Sequence, residues 1–400
     1  MFGFKKPINT DEEKIEEILT RGVSEVVDRE SLKKKLSSGK RLRIKLGIDP
    51  TSPDLHIGRA VPLLKLKDFQ ELGHTIVLIV GDVTGIIGDT SDKESERPLL
   101  TKEEVKKNAE TYFKQAGKVL DMGSVEKHFN SEWLSKLSYN EIGEHADQFS
   151  LADFIARENI KKRLDAGKRV SLREMLYPLM QGYDSVAIKA DVELGGNDQW
   201  FNLLAGRKLQ TRFNQNPQDI ITTNLILGTD GRKMSSSWGN TINLTDAPKD
   251  MYGKIMSVPD ELITSYLTHC TRVSMNRIKE VENLIKDGNN PRDLKMELAR
   301  VIVGMFHGEK NAQKAEEDFV DIFQKGKVVD SPVVSVEGGT LLKHVLIKEG
   351  VVSSGNEFSR LIDSGSISTI DGAKIVNKQA PATSNTFKIG PRRTLTINIK

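Results

Sequence analysis

Gly47-Ile48-Asp49-Pro50-Thr51-Ser52-Pro53-Asp54-Leu55-His56-Ile57-Gly58-Arg59 is the stretch on which the fold turns. Before it, Arg41-Leu42-Arg43-Ile44-Lys45-Leu46 alternates basic and apolar like a strand; after it, Ile57, Val61, Leu64 and Leu72 recur at helical spacing. Pro50 and Pro53 break the first pattern before the second begins, and Gly73 stands where a helix C-terminal glycine belongs. A further apolar run over 75–80 completes strand, helix and strand, the unit of open parallel α/β sheets, whose ligand crevice lies beyond the strands' carboxyl ends. His56 and the loop 81–89 both fall at such ends. A helix N-terminus offers unpaired N–H groups to phosphate, Gly58 lets a nucleotide approach the backbone, and His56 adds a donor. A His and a Gly at a helix start also read as a turn with a solvated cap, so the remaining chain decides.

Four hundred residues with 37% apolar and 29% charged content describe a globular chain of two or three domains and a sizeable core. Cys270 is the sole cysteine, which excludes an intramolecular disulfide and a multi-cysteine zinc site and points to the reducing cytoplasm. The first residues lack the apolar core of a signal peptide, and runs such as 76–80 are too short to cross a bilayer, so no membrane partner is expected. A net charge of +3 says little by itself, but from Ser331 onward nine Lys and Arg face five Asp and Glu, which suggests an acidic partner there.

Residues 10–36 read as polar helices broken near Arg21-Gly22, and 101–175 as charged and helix-rich with interruptions near Asn130 and Gly167. An apolar pattern over 176–192 leads to a Gly-Gly turn and a helix from about Gln199 to Leu209. Helices then run from Pro248 to about Lys325, and 326–339 reads as a linker. Beyond it the pattern predicts a short helix over 357–362, ended by Gly365, and a hairpin turn at Asp371-Gly372.

Three constellations carry chemistry. Tyr177, Gln181 and Asp184 stand at i, i+4 and i+7 among Leu176, Leu179, Met180 and Val186, a spacing that lines a pocket or makes a wet surface stripe; Asp184 is an acceptor that can demand a hydroxyl. Gly195-Gly196-Asn197-Asp198-Gln199-Trp200 allows close backbone approach and offers Asp198 to a ribose hydroxyl pair, although the same residues make a good turn with a cap. In Gly231-Arg232-Lys233-Met234-Ser235-Ser236-Ser237, glycine and serines make a loop from which Lys233 can swing onto a phosphate.

In this order the motifs resemble those of the class I aminoacyl-tRNA synthetases and, within them, the bacterial-type tyrosyl-tRNA synthetases. The resemblance spans nearly the whole chain and includes Gly47-x-Asp49-Pro50-Thr51, Thr84-Gly85-x-Ile87-Gly88-Asp89 and a charged loop ending Ser95-Glu96-Arg97. It implies an α/β fold: a Rossmann-like parallel-sheet catalytic domain over 1–247 with a helical dimerisation insertion at about 101–175. An α-helical anticodon-binding domain over 248–325, the linker 326–339 and an S4-like α+β RNA-binding domain over 340–400 follow. The implied reaction forms an adenylate from L-tyrosine and ATP, with Mg2+ travelling on ATP and no metal caged by protein, then moves tyrosine to the 3′ end of tRNA(Tyr); the implied assembly is a homodimer.

The same resemblance assigns roles. Thr51, His56, Arg59, Lys93, Arg97 and Lys233 would meet the phosphates, and Gly58, Asp198, Met234, Ser235 and Ser236 would complete the ATP site with His56 and Lys233. Asp89, Tyr177 and Gln181 would surround the ammonium group of tyrosine, Asp184 would accept from its phenol, and Gln199 would face the activated carboxyl group. A buried acceptor left unpaired by phenylalanine makes that amino acid a poor substrate, tyrosyl enzymes being the standing case of the effect. Arg360, Lys374, Lys388, Arg392 and Arg393 would meet RNA. Three positions depart from the pattern: Arg59 stands where a second His is usual, Ser236 where a second Lys is usual, and Lys45 where many relatives place a Tyr that contacts the phenol. A non-catalytic tRNA-binding paralogue remains the alternative, and the tryptophanyl sister enzyme fits less well because Asp184 suits a phenol.

Overall fold

The computed structural model describes residues 6–90, 100–323, 331–390 and 393–400. The chain divides into two compact units, residues 1–247 with 254–308 and residues 248–253 with 309–400.

The first unit is built on a six-stranded sheet of β1 (Val23–Val27), β2 (Arg43–Ile48), β3 (Thr75–Val80), β4 (Val125–Phe129), β5 (Val192–Gly196) and β6 (Asp219–Thr223). Their order is β1-β6-β5-β2-β3-β4, with β1 antiparallel to β6 and every other pair parallel. The chain moves outward from β2 to β3 and β4, then returns to lay β5 on the other side of β2. Strand order therefore reverses between β2 and β5, where an open α/β sheet leaves a crevice at its carboxyl ends. Helix Ile57–Glu71 makes the first crossover, and Gly73 follows at φ +93°, where a Cβ would stand 2.6 Å from the Pro7 carbonyl oxygen. The five residues of β3 after Thr75 are all buried, as a parallel strand covered on both faces requires.

The sequence pattern reads the centre of this sheet and misses its edges. β1 lies in the stretch expected as polar helices, and β4 in the charged stretch 101–175. Each has a single neighbour, β1 buries none of its five residues and β4 only Val125, so neither shows a buried-strand pattern. Gly195 and Gly196, expected in a turn, end β5 instead, and the turn is the short 3₁₀ segment Asn197–Gln199. β6 escapes the sequence pattern because Asp219, Thr222 and Thr223 dilute its apolar content, although all five residues are buried.

Helices Leu172–Ile188 and Trp200–Arg212 pack closely because Gly182 lies against the backbone of Ala205. Helices Ile263–Cys270, Met275–Lys286 and Pro291–His307 belong to this first unit and Glu309–Phe323 to the second, so the stretch 248–325, expected as one domain, is divided. One tie is Arg21, whose guanidinium donates to the carbonyls of Thr268 and Thr271 at 3.1 and 2.8 Å.

In the second unit, β7 (Val333–Val336), β8 (Ile367–Thr369), β9 (Asn385–Ile389) and β10 (Arg393–Ile399) form a sheet in the order β7-β10-β9-β8. Helices Leu342–Lys348 and Gly355–Asp363 share its core through Leu342, Leu346, Phe358, Phe387, Leu395 and Ile397. Part of the expected linker is thus a strand: β7 pairs in parallel with β10 at the edge of the sheet. The Asp371-Gly372 turn forms, with Gly372 at φ +93°, but only the bridge from Ser368 to Lys374 follows it, and β8 pairs chiefly with β9. No helix among the described residues is long and apolar enough to cross a membrane.

A Cβ at Gly182 would meet the Ala205 carbonyl carbon at 3.0 Å and its oxygen at 3.1 Å, backbone that cannot swing aside. Gly182→Ala is therefore expected to lower stability by about 1–3 kcal/mol through overpacking, read as a fall in the urea midpoint.

Candidate active site

The exits of β2, β3 and β5 and the segment after β6 bring most of the expected residues to one crevice. His56 caps helix Ile57–Glu71 with extended backbone and no side-chain cap bond, and its carbonyl accepts from the N–H groups of Arg59 and Ala60 at 2.8 and 3.1 Å. Its imidazole is buried, and burial first, then the charges of Arg59 and Lys233, depress it to about 3, so the ring is neutral. Nδ1 is buried without a hydrogen-bond partner. A Cβ on Gly58 would stand 3.1 Å from that nitrogen and 3.6 Å from the Met234 sulfur, so a side chain there would crowd the helix start. Arg59 donates to the Thr51 hydroxyl at 2.6 Å, the Tyr112 hydroxyl at 3.0 Å and the Asp49 carbonyl at 3.3 Å, which spreads a fixed charge over the turn 49–52.

Lys233 arrives from the other wall. Residues 226–228 and 232–234 run antiparallel, and buried Asn240 accepts from the Ser235 N–H at 2.8 Å while donating to the Asp230 carboxylate at 2.7 Å and the Lys233 carbonyl at 3.1 Å. The chain then pairs back on the His56 turn, where the Ile57 N–H donates to the Ile242 carbonyl at 2.8 Å. Lys233 Nζ meets the Asp198 carboxylate at 3.1 Å, so the loop's cation and the candidate ribose acceptor face each other. A Cβ on Gly196 would fall 2.6 Å from Asp198 Oδ1, and one on Gly195 3.1 Å from Gln199 Oε1; both glycines make room for these side chains.

The far end of the crevice is acidic and buried. The Tyr177 hydroxyl donates to Asp49 Oδ2 at 2.8 Å, and the Thr84 hydroxyl to Asp49 Oδ1 at 2.7 Å. A Cβ on Gly81 would lie 2.2 Å from both the Asp49 and Thr84 oxygens, so this glycine is required by that bond. Asp89 is buried and accepts from Asn202 at 3.4 Å. Asp184, one turn beyond Gln181, accepts from the Trp133 indole N–H at 2.7 Å and from the Asn130 amide at 3.4 Å. Burial pushes the Asp184 carboxyl up to about 7, against the opposing pull of Lys45 and of the Trp133 and Asn130 bonds. Burial, with Asp49, Asp89 and Asp184 nearby, raises the Tyr177 phenol well above its usual value, so it stays a donor.

The family model described as tRNA synthetases class I (W and Y) matches residues 36–324. The tyrosine–tRNA ligase of Thermotoga maritima is 45% identical over 390 residues, spanning 96% of this chain and 97% of that protein. The chain belongs to the class I tyrosyl-tRNA synthetases. The tyrosine–tRNA ligase of Carboxydothermus hydrogenoformans is 44% identical over 398 residues, spanning 95% and 97%. Among solved structures, a C-terminally truncated mitochondrial tyrosyl-tRNA synthetase of Coccidioides posadasii aligns with TM-score 0.63 and 26% identity over 79% of this chain and 92% of that one. The Archaeoglobus fulgidus tyrosyl-tRNA synthetase complexed with L-tyrosine shares the fold at TM-score 0.61 and 24% identity, covering 76% and 100%.

In this synthetase the crevice gathers Thr51, His56, Gly58, Arg59, Asp198, Gln199, Lys233 and Met234 toward one end and Asp89, Tyr177, Gln181 and Asp184 toward the other. Ser236 is exposed, while Ser235 is held by Asn240. Lys93, Arg97 and Arg392 lie outside the described residues. In the second unit Arg360 and Lys374 are exposed and Lys388 is half-buried. Arg393 pairs with Glu357 at 2.9 Å and donates to the Val351 carbonyl, so it ties the sheet to helix Gly355–Asp363. Sequence reasoning passed over Asp49, Asn130, Trp133 and Glu193. Asp49 had a signal, an acid at a strand exit before a proline; Asn130 and Trp133 had none, because only the fold brings them to Asp184.

The raised Asp184 value fixes a sign. The folded chain holds this proton up to about pH 7, whereas an ordinary Asp releases it near 3.8. Stability therefore declines as pH climbs between those values, and the loss is complete above the upper one. Asp184→Asn, which carries no charge to bury, is expected to raise the urea midpoint at pH 8 by more than at pH 5; an equal change at both would contradict this.

Proposed function

We infer that this chain activates L-tyrosine with ATP and transfers the tyrosyl group to the 3′ end of tRNA(Tyr). Carrying this reading is the likeness to tyrosine–tRNA ligases at 45% identity across 96% of the chain. In the first step a tyrosine carboxylate oxygen attacks the α-phosphorus, the bond to the bridging oxygen breaks and pyrophosphate leaves. In the second a terminal ribose hydroxyl of the tRNA attacks the adenylate carbonyl carbon and AMP leaves. Neither step needs a protein nucleophile, so catalysis rests on positioning and on stabilising charge.

His56, Thr51 and Arg59 meet the ATP phosphates, and Lys233 trades Asp198 for the departing pyrophosphate while Asp198 turns to the ribose. The buried, unpartnered His56 Nδ1 supports a ligand at this helix start. Gly58 lies against the adenosine beside Met234, Ser235 and Ser236, and Gln199 faces the activated carboxyl group. Lys93 and Arg97 add further positive charge, and Mg2+ enters on ATP. Asp89, Tyr177 and Gln181 hold the ammonium group of tyrosine, supported by a buried Gln181 Oε1 that has no partner. Asp184 accepts from the phenol.

Arg360, Lys374, Lys388 and Arg392 meet tRNA phosphates on the S4-like C-terminal segment, and the helices of 248–325 face the anticodon arm. Exposed Tyr139, Leu151 and Leu172 support a homodimer formed through the helices of 130–175. The cytoplasm, where tRNA is charged, is the proposed location. The non-catalytic alternative gains no support, since the acidic and basic ends of the crevice are both furnished.

Tyrosine is expected to drive exchange of labelled pyrophosphate into ATP and tryptophan not to; no exchange at saturating tyrosine would overturn the reading. Lys233→Ala is expected to slow activation by about 10²–10³, the usual effect of deleting one charge-stabilising donor. An unchanged rate would assign that work to Lys93 or Arg97.

A further inference from the structure

Beneath the tyrosine end of the crevice lies a buried ion pair to which the reaction gives no role. Lys45 on β2 and Glu193 on β5 meet at 2.8 Å with side chains 0% and 1% exposed. Lys45 Nζ also donates to the Gln181 carbonyl at 2.9 Å and the Ser185 hydroxyl at 2.8 Å. Glu193 accepts from Gln181 Nε2 and Ser185 Oγ, both at 3.1 Å, and from Gln218 Nε2. Gln181 and Ser185 flank Asp184 on one helical turn, so the pair grips the segment that carries this carboxylate from both sides.

We propose that Lys45 positions Asp184 and serves as its countercharge, and that the Lys45–Glu193 pair thereby sets this enzyme's preference for tyrosine over phenylalanine. Lys45 is a positioning residue: it acts through Asp184 and need not touch the substrate. The proposal rests on the reading of Asp184 as acceptor of the phenol hydroxyl. A charged carboxylate accepts that bond far better than a protonated one, which must spend an oxygen as a donor. The groups facing Asp184 are Lys45 from β2, Glu193 from β5, the neutral Trp133 and Asn130 from the segment after β4, and Tyr177 on its own helix, with Asp49 and Asp89 behind Tyr177. Lys45 favours the anion and Glu193 opposes it, Lys45 more strongly, so the two partners of one salt bridge push Asp184 in opposite directions.

That opposition gives a test in which structural damage and charge have different signatures. The pH profile of kcat/KM for tyrosine in pyrophosphate exchange reports groups of the free enzyme. Glu193→Gln should move its acid limb to lower pH and Lys45→Met to higher pH, each by about one unit. The double variant Lys45→Met/Glu193→Gln, which leaves neither member of the pair as a lone charge, should also lie above the parent because the stronger influence is lost. At pH 7, Lys45→Met and the double variant should lose about tenfold in tyrosine-over-phenylalanine selectivity, mainly through the KM for tyrosine, and regain it as pH rises. Should Lys45→Met fail to fold, Glu193→Gln and the double variant still must separate in opposite directions. Acid limbs that coincide with the parent's, with only the urea midpoint lowered, would overturn the proposal and leave the pair structural. Asp184→Asn runs alongside: if it keeps selectivity, the reading of Asp184 itself is wrong, whereas lost selectivity with unmoved limbs refutes the role of Lys45 alone.

Discussion

Two opposite charges with no access to water, Lys45 and Glu193, join the adjacent strands at which the sheet reverses its order. Burying such ions costs several kcal/mol each, and the cost is offset only where geometry is good and the remaining donors and acceptors are filled. Here Gln181, Ser185 and Gln218 fill them, and Gln181 and Ser185 belong to the helix that carries Tyr177 and Asp184. One buried contact thus fixes β2, whose exit leads to Asp49 and His56, against β5, whose exit leads to Asp198, and roofs both with the helix lining the acidic end.

Around this frame charge is sorted along the crevice. Arg59 and Lys233 supply positive charge at the helix start, and burial, reinforced by these charges, keeps His56 neutral. Asp49, Asp89 and Asp184 supply acceptors at the opposite end. The crevice is thus cationic at the helix start and acidic at its far end. Many site groups hold each other meanwhile: Lys233 with Asp198, Arg59 with Thr51, Tyr177 with Asp49. Arg59 differs in kind from a histidine at that place, since its planar guanidinium braces the turn through three hydrogen bonds at once.

The site and the fold draw on stability differently. Glycines at 81, 182, 195 and 196 admit close approaches that any side chain would block, and two of them, Gly81 and Gly196, make room for carboxylates. Asp184 is held where burial penalises its charge, and the same desolvation makes any unpaired polar group beside it costly.

Periodicity and breakers determined, from sequence alone, the central strand, helix and strand, the helix bearing Tyr177 and Asp184, and the order of the motifs, because these depend on local spacing and on buried runs. Edge strands escaped it: β1 and β4 need bury little to be held by a single neighbour, so their residues look like any polar segment. Tertiary structure alone decided the partners. Lys45 looked like the loss of a phenol contact, and the fold made it the countercharge of Glu193 and a clamp on Gln181. Trp133 and Asn130 reach Asp184 across more than fifty residues of chain. Spacing reports which face a side chain shares with its near neighbours; which distant group it meets is settled only when strands are laid side by side.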